Sequence, residues 1–190
     1  MKSSDKLPKV FCIGLIKTGT TSLGYALKML GYNHTTSNRN VLLEDVVNGN
    51  LQQIFAWVDQ YDSFDDWPWP FIYRELDSHY PDSRFILTTR LNEEIWLRSV
   101  LQHSEWCGPS SGREKFFGHA MPQKHERQYI NRYREHHRQV RDYFRNRPDK
   151  LLEVCWEKGQ GWPELCSFLN MPVPNAQFPC ANTKSNRINK

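Results

Sequence analysis

Gly14 and Gly19 bracket a turn that, read on to residue 22, carries the hydroxyls of Thr18, Thr20, Thr21 and Ser22 and the ammonium of Lys17. The apolar run of residues 10–13 precedes it, and Leu23, Ala26, Leu27 and Leu30 recur behind it at helical spacing. A strand that feeds a helix through such a turn leaves the first helical N–H groups without intrahelical partners. Those donors and the helix dipole attract an anion. The hydroxyls and the lysine add donors from other directions, so the stretch has the chemistry of a phosphate cradle. In a nucleoside-triphosphate loop, G-x-x-x-x-G-K-[ST], a lysine directly after the second glycine reaches the β- and γ-phosphates. Thr20 stands at that position here, and Lys17 comes two residues before Gly19. That placement puts the lysine beside a first phosphate and argues against ATP or GTP.

The elements that must position this turn follow from periodicity and punctuation. Leu30-Gly31 is expected to close the first helix, with a short second strand near residues 32–36. Residues 41–47 and 51–58 carry helical spacing. Residues 62–70, with Pro68 and Pro70 beside Trp67 and Trp69, are expected to be an irregular packed loop, followed by a helix over 71–79. Residues 84–90 form a second core strand, and Asn92 caps the helix that follows, with Glu93 and Glu94 in its first turn. Residues 107–124, rich in Gly, Pro and Ser, suggest a mobile excursion. Ile130, Tyr133, Val140 and Phe144 mark a long amphipathic helix over 126–145. A third strand over 151–155, a helix over 162–169 and a polar, proline-rich tail complete the chain. Strands alternating with helices imply an α/β fold with a parallel central sheet flanked by helices. Ligands then sit at the carboxyl ends of the strands, where Gly14, Asp66 and Arg90 converge.

The 190 residues suit one domain, core about 9–170 and tail 171–190. The net charge of +4 is mild and dispersed; it suits anionic substrates without demanding nucleic acid. Residues 1–9 are polar, and the apolar run behind them is too short for a signal core or a membrane span, which implies an intracellular, cytoplasmic protein. Cys12, Cys107, Cys155, Cys166 and Cys180 are odd in number and form no C-x-x-C pair, suggesting neither a disulfide framework nor a zinc ribbon.

Lys17-Thr18-Gly19-Thr20-Thr21-Ser22-Leu23 behind a strand resembles the 5′-phosphosulfate-binding loop of sulfotransferases that use 3′-phosphoadenosine 5′-phosphosulfate (PAPS), with Ile16 where the family commonly has proline. Arg90 leaving a strand and Ser99 in the next helix are similar to that family's 3′-phosphate site, for which the forked guanidinium of arginine is suited. Asn92 replaces the usual proline, and Ser99 follows Arg90 by nine residues where eight is usual. On a regular helix one residue rotates a side chain by roughly 100°. Where cytosolic members carry a histidine base before a proline, this chain has Asp66-Trp67-Pro68. The resemblance therefore implies an acidic base, with Asp66 first and Asp65 in reserve. Neighbouring tryptophans and a like charge are the features that tune a carboxylate toward base strength. Residues 161–169, 178–182 and 66–70 also resemble a compact branch of the superfamily, so the likeness runs from about Val10 to Asn182.

The resemblance implies a three-layer P-loop-like fold and transfer of a sulfuryl group from PAPS to a hydroxyl or amine of a small-molecule acceptor, leaving PAP. In that scheme Lys17, Thr18, Gly19, Thr20, Thr21 and Ser22 hold the 5′-phosphate, and Arg90 and Ser99 hold the 3′-phosphate. Asp66 takes the acceptor's proton. Lys17 and backbone dipoles meet the departing charge, so no metal is needed, and neither nucleic acid nor a membrane enters. Asn182 or Lys184 would close over the nucleotide, unless the tail is simply disordered. A small-molecule kinase and a non-catalytic nucleotide-binding adaptor are the competing readings. Plainer readings stand beside these: Arg90 as a surface residue at a strand end, and Asp62, Asp65 and Asp66 as turn residues bonding local backbone. His119, His125, His136 and His137 fit surface positions better than metal ligation, and the arginines between 127 and 147 fit a solvated helix face. Trp67, Trp69, Trp96 and Trp106 fit core or rim packing, with some lining an apolar acceptor pocket.

Overall fold

The structure, a computed structural model, describes residues 7–36 and 39–181, and all of their side chains except those of 39–41. Five parallel strands, β1 (Val10–Cys12), β2 (His34–Thr36), β3 (Ser63–Asp65), β4 (Arg84–Thr88) and β5 (Leu151–Val154), form one sheet in the order β2-β3-β1-β4-β5. β1 is central because both of its faces are apolar. Val10 and Cys12 point into one layer, Phe11 and Ile13 into the other, and all four are fully buried. Such two-sided burial is the mark of a parallel strand covered by helices above and below.

One layer holds α1 (Thr20–Met29) and α8 (Trp162–Leu169), whose Leu23, Leu27, Leu165 and Leu169 pack on Val10 and Ile86. Gly31, at φ 89°, closes α1: its N–H reaches Lys28 O and that of Tyr32 reaches Leu27 O. The opposite layer is built by α2 (Arg39–Val47), α3 (Leu51–Val58), α4 (Tyr73–His79) and α7 (Glu126–Phe144) around Phe11, Phe64 and Phe85. α5 (Glu93–Cys107) and α6 (Ser111–Phe117) form a third cluster with α7 around Trp67, Trp96, Phe117 and Tyr129, next to the strand ends. The three-layer arrangement is the one expected. Among the described residues no helix is long and apolar enough to cross a membrane.

Three expectations need correction. Within the stretch expected to be irregular, Ser63-Phe64-Asp65 is a strand that pairs with β1 on one side and β2 on the other. It is only three residues long and has one apolar side chain, so pairing and not local propensity makes it a strand. The supposed excursion over 107–124 is built around α6. The guanidinium of Arg113, buried at 3% exposure, donates to Gly108 O and to Ala120 O, and so ties the two ends of the segment together. Phe117 stacks on Tyr129 with ring centroids 4.2 Å apart.

The third correction concerns His136 and His137, which are buried. α7 lies between the sheet and α5–α6, so its apolar stripe is wide enough to include two neighbouring positions 100° apart. The His136 Nε2–H donates to Ile13 O at 2.8 Å, directly before the glycine-bracketed turn. Burial pushes the His136 imidazole down to about 4 and that of His137 to about 3. An unfolded histidine titrates near 6.5, so the stability these depressed groups contribute is complete above that pH and is lost as pH falls toward 4. For His136 the loss amounts to about 3 kcal/mol over that window. The thermal midpoint should therefore fall as pH is lowered from 7 to 4, and less steeply in a His136→Gln variant. Parallel pH profiles for the two proteins would refute the assignment.

Candidate active site

The carboxyl ends of β3, β1 and β4, adjacent in the sheet, open into a cleft of about 600 Å³, within the range of roughly 300–1,000 Å³ common for small-ligand sites. The chain crosses from β3 over β1 to β4 at this point, which is the switch in strand order where open α/β sheets bind ligands. Three connections supply the inner wall. The turn after β1 brings Lys17 and residues 19–22; the segment after β3 brings Asp66 and Trp67; the segment after β4 brings Arg90, with Ser99 from α5.

The turn after β1 is held from behind at four carbonyls. Leu15 O accepts the Thr18 hydroxyl at 2.6 Å, Ile16 O the Trp96 indole N–H at 2.9 Å, Lys17 O an Arg90 Nη1–H at 3.0 Å, and Gly19 O the Trp156 indole N–H at 3.1 Å. In a trans peptide the next residue's N–H points opposite to the carbonyl. Fixing the carbonyls outward therefore fixes the N–H directions as well. Thr88 adds a latch, its Oγ1 lying 2.6 Å from that of Thr18. A Cβ at Gly14 would come within 2.0 Å of the Thr88 hydroxyl oxygen, so only glycine permits this approach. Gly19, at φ 97°, caps α1 without a side-chain hydrogen bond, and a Cβ there would strike the Trp156 ring at 2.4 Å. The first helical bond runs from Leu23 N to Gly19 O, which leaves the N–H groups of residues 20–22 at the helix start facing the cleft.

Lys17 at φ 65° and Asp66 at φ 70° are two of the four described non-glycine residues in the left-handed region. Both line the cleft, a setting where such backbone conformations tend to gather. Asp65 and Asp66 part company at this point. Asp65, still in the strand, turns under α1, where its carboxylate is buried 3.5 Å from His34 Nε2; His34 Nδ1 in turn lies 2.9 Å from Ser63 Oγ. Gly24 of α1 leaves room for this pair, because a Cβ there would lie 2.6 Å from His34 Nε2. Asp66 leaves the sheet and enters the cleft.

The cleft thus gathers Lys17, Gly19, Thr20, Thr21, Ser22, Asp66, Arg90 and Ser99. Ser99 lines the cleft despite the nine-residue interval from Arg90, and the Asn92 side chain accepts from Ile95 N at 2.9 Å to start α5. β4 ends at Thr88, two residues before Arg90, so the arginine stands free of the sheet. Thr18 differs from its neighbours: its hydroxyl is buried and committed to Leu15 O and Thr88, behind the turn. Ser22 Oγ accepts from Ala181 N at 3.0 Å, so the tail crosses the start of α1 and Ala181 reaches the cleft. Asn182 and Lys184 lie outside the described residues.

The outer half of the cleft was only partly anticipated. Trp67 and Trp106 belong to it, as two of the tryptophans expected to pack at a rim or line a pocket, but so do Leu43, His103 and Cys107. Ser99, His103 and Trp106 share one face of α5 by their spacing. Trp106 is 84% exposed, the most open of the large apolar side chains described. Trp69 and Trp96 are fully buried and do not line the cleft. Trp96, Trp156 and Thr88 act on the turn from distant elements, Glu157 holds Arg90, and no local motif announced them. Burial and Asp65 raise the Cys12 thiol to about 12, which makes it an inert packing group.

The donors fit a polyanionic ligand: a helix start with hydroxyls and Lys17, joined in the same cleft by Arg90 and Ser99. The chain matches the family described as "Sulfotransferase domain" over residues 9–111 and 109–187. It is also similar to "Ava biosynthesis cluster protein M" of Aspergillus versicolor, 28% identical over 225 aligned positions that cover 95% of this chain and 83% of that protein.

Proposed function

The chain belongs to the sulfotransferase-domain family, and from that premise we propose that it transfers a sulfuryl group from PAPS to a hydroxyl or amine of a small acceptor. The observation that carries this reading is the single cleft shared by the β1 turn, Asp66, Arg90 and Ser99. N–H groups of residues 18–22 and the hydroxyls of Thr20, Thr21 and Ser22 take the 5′-phosphate. Thr18 contributes its backbone and the latch to Thr88. Arg90 and Ser99 take the 3′-phosphate. Lys17 neutralises charge that grows on the bridging oxygen as the sulfur–oxygen bond to the phosphate breaks, and Asp66 accepts the acceptor's proton. With a loose transition state most of the work is placement and charge stabilisation. The outer half, with Trp67, His103 and Trp106, is the acceptor's side.

Titration calorimetry tests the donor. The protein should bind 3′,5′-adenosine diphosphate at least roughly tenfold more tightly than ATP with Mg²⁺; the reverse order would favour the kinase. Arg90→Ala should weaken 3′,5′-adenosine diphosphate by roughly 10- to 100-fold, as loss of a charged hydrogen-bond partner does, and 5′-AMP by clearly less, since 5′-AMP feels only the lost brace on Lys17 O. Equal losses for both nucleotides would remove Arg90 from the 3′-phosphate.

A further inference from the structure

Arg90 is already occupied. Its Nη2 donates to Glu157 Oε1 at 2.5 Å, while Glu157 Oε2 accepts the Leu91 N–H at 3.0 Å. Glu157 sits in the 3₁₀ turn Trp156–Lys158, immediately after the tryptophan that pins Gly19, so its backbone is fixed to the same turn that Arg90 braces through Lys17 O. Both side chains are partly exposed, Arg90 at 22% and Glu157 at 31%, so the pair can open toward the cleft without unpacking the core. The Arg90 Nε is buried and has no hydrogen-bond partner among the described residues. The guanidinium therefore has one edge on the loop and one on a carboxylate.

A phosphate engages arginine best through two parallel N–H donors, and the Nη2 that one such pair requires is held by the Glu157 carboxylate. A dianionic 3′-phosphate must either displace that carboxylate or bind beside a like charge. A 3′-hydroxyl carries no such conflict, since a carboxylate accepts hydrogen bonds from ribose hydroxyls. Resting on the PAPS reading above, we propose that Glu157 is a specificity-determining residue: it competes with the 3′-phosphate for Arg90 and so narrows the cleft's preference for 3′-phosphorylated over 3′-unphosphorylated adenine nucleotides.

The test is calorimetry with 3′,5′-adenosine diphosphate and 5′-AMP on wild type, Glu157→Gln and Glu157→Gln in an Arg90→Ala background. Glutamine keeps an oxygen for the Leu91 N–H, removes the charge and turns an NH2 group, a donor, toward Arg90 Nη2, so it no longer competes for the guanidinium. Glu157→Gln should tighten 3′,5′-adenosine diphosphate about fivefold and leave 5′-AMP within about twofold. In the Arg90→Ala background the same substitution should change neither. Unchanged or weaker binding of 3′,5′-adenosine diphosphate by Glu157→Gln, with a thermal midpoint like that of wild type, overturns the proposal and shows the carboxylate merely holds Arg90 in place. If Glu157→Gln lowers the midpoint, the ratio of the two affinities decides: a ratio equal to wild type overturns the proposal, a larger one supports it. Wild-type protein that binds neither nucleotide overturns the PAPS reading itself.

Discussion

Lys17→Ala is expected to lower turnover by roughly 10²–10³-fold, the usual cost of removing one preorganised stabiliser of transition-state charge, while the protein stays folded. The side chain lines the cleft, and the turn's geometry is fixed by groups other than the lysine ammonium, namely Trp96, Trp156, Arg90 and Thr88. The backbone at residue 17 is left-handed, a conformation that costs alanine about what it costs lysine, so no new strain enters. The effect should fall on kcat more than on binding of 3′,5′-adenosine diphosphate, because charge on the bridging oxygen develops only as the sulfuryl group departs. Steady-state assays with a verified acceptor, read beside thermal melts, check this. Wild-type turnover in the variant would leave the lysine no part in the reaction.

Asp66→Asn should cut kcat by roughly 10²–10⁴-fold, the range for loss of a positioned proton acceptor. Asparagine is isosteric and tolerates the left-handed backbone that Asp66 adopts at φ 70°, so the fold and nucleotide binding should persist. The decisive comparison is with Asp65→Asn. Asp65 faces His34 under α1, so its replacement should act on stability and leave the chemistry of the surviving folded protein intact. Should Asp66→Asn keep full activity, Asp66 is not the base, and His103, which also lines the cleft, becomes the one to test.

The β1 turn could be read without coordinates because its chemistry is local: two glycines, hydroxyls and a lysine at the start of a helix. Arg90 and Asn92 were legible for the same reason, each at the end of a recognisable element. The path of Asp66 into the cleft was not, because it depends on Ser63-Phe64-Asp65 pairing with two strands distant in sequence. Glycine, proline and serine between 107 and 124 hid a helix whose order comes from one buried arginine and two aromatic rings. His136 looked like a surface residue beside so many arginines, yet it supports Ile13 O from α7. What stayed illegible in each case is tertiary: a partner far along the chain decides what the residue does.

The groups that grip the β1 turn come from residues 88, 90, 96 and 156, and Ala181 closes on Ser22. A growing or half-collapsed polypeptide has the glycines and threonines early, yet lacks the clamps that shape them until almost its last segment has docked. On the proposed reading, ligand affinity is thereby tied to completion of the whole topology, so a nucleotide bound at this turn would stabilise the finished molecule and give little foothold to truncated or misassembled forms.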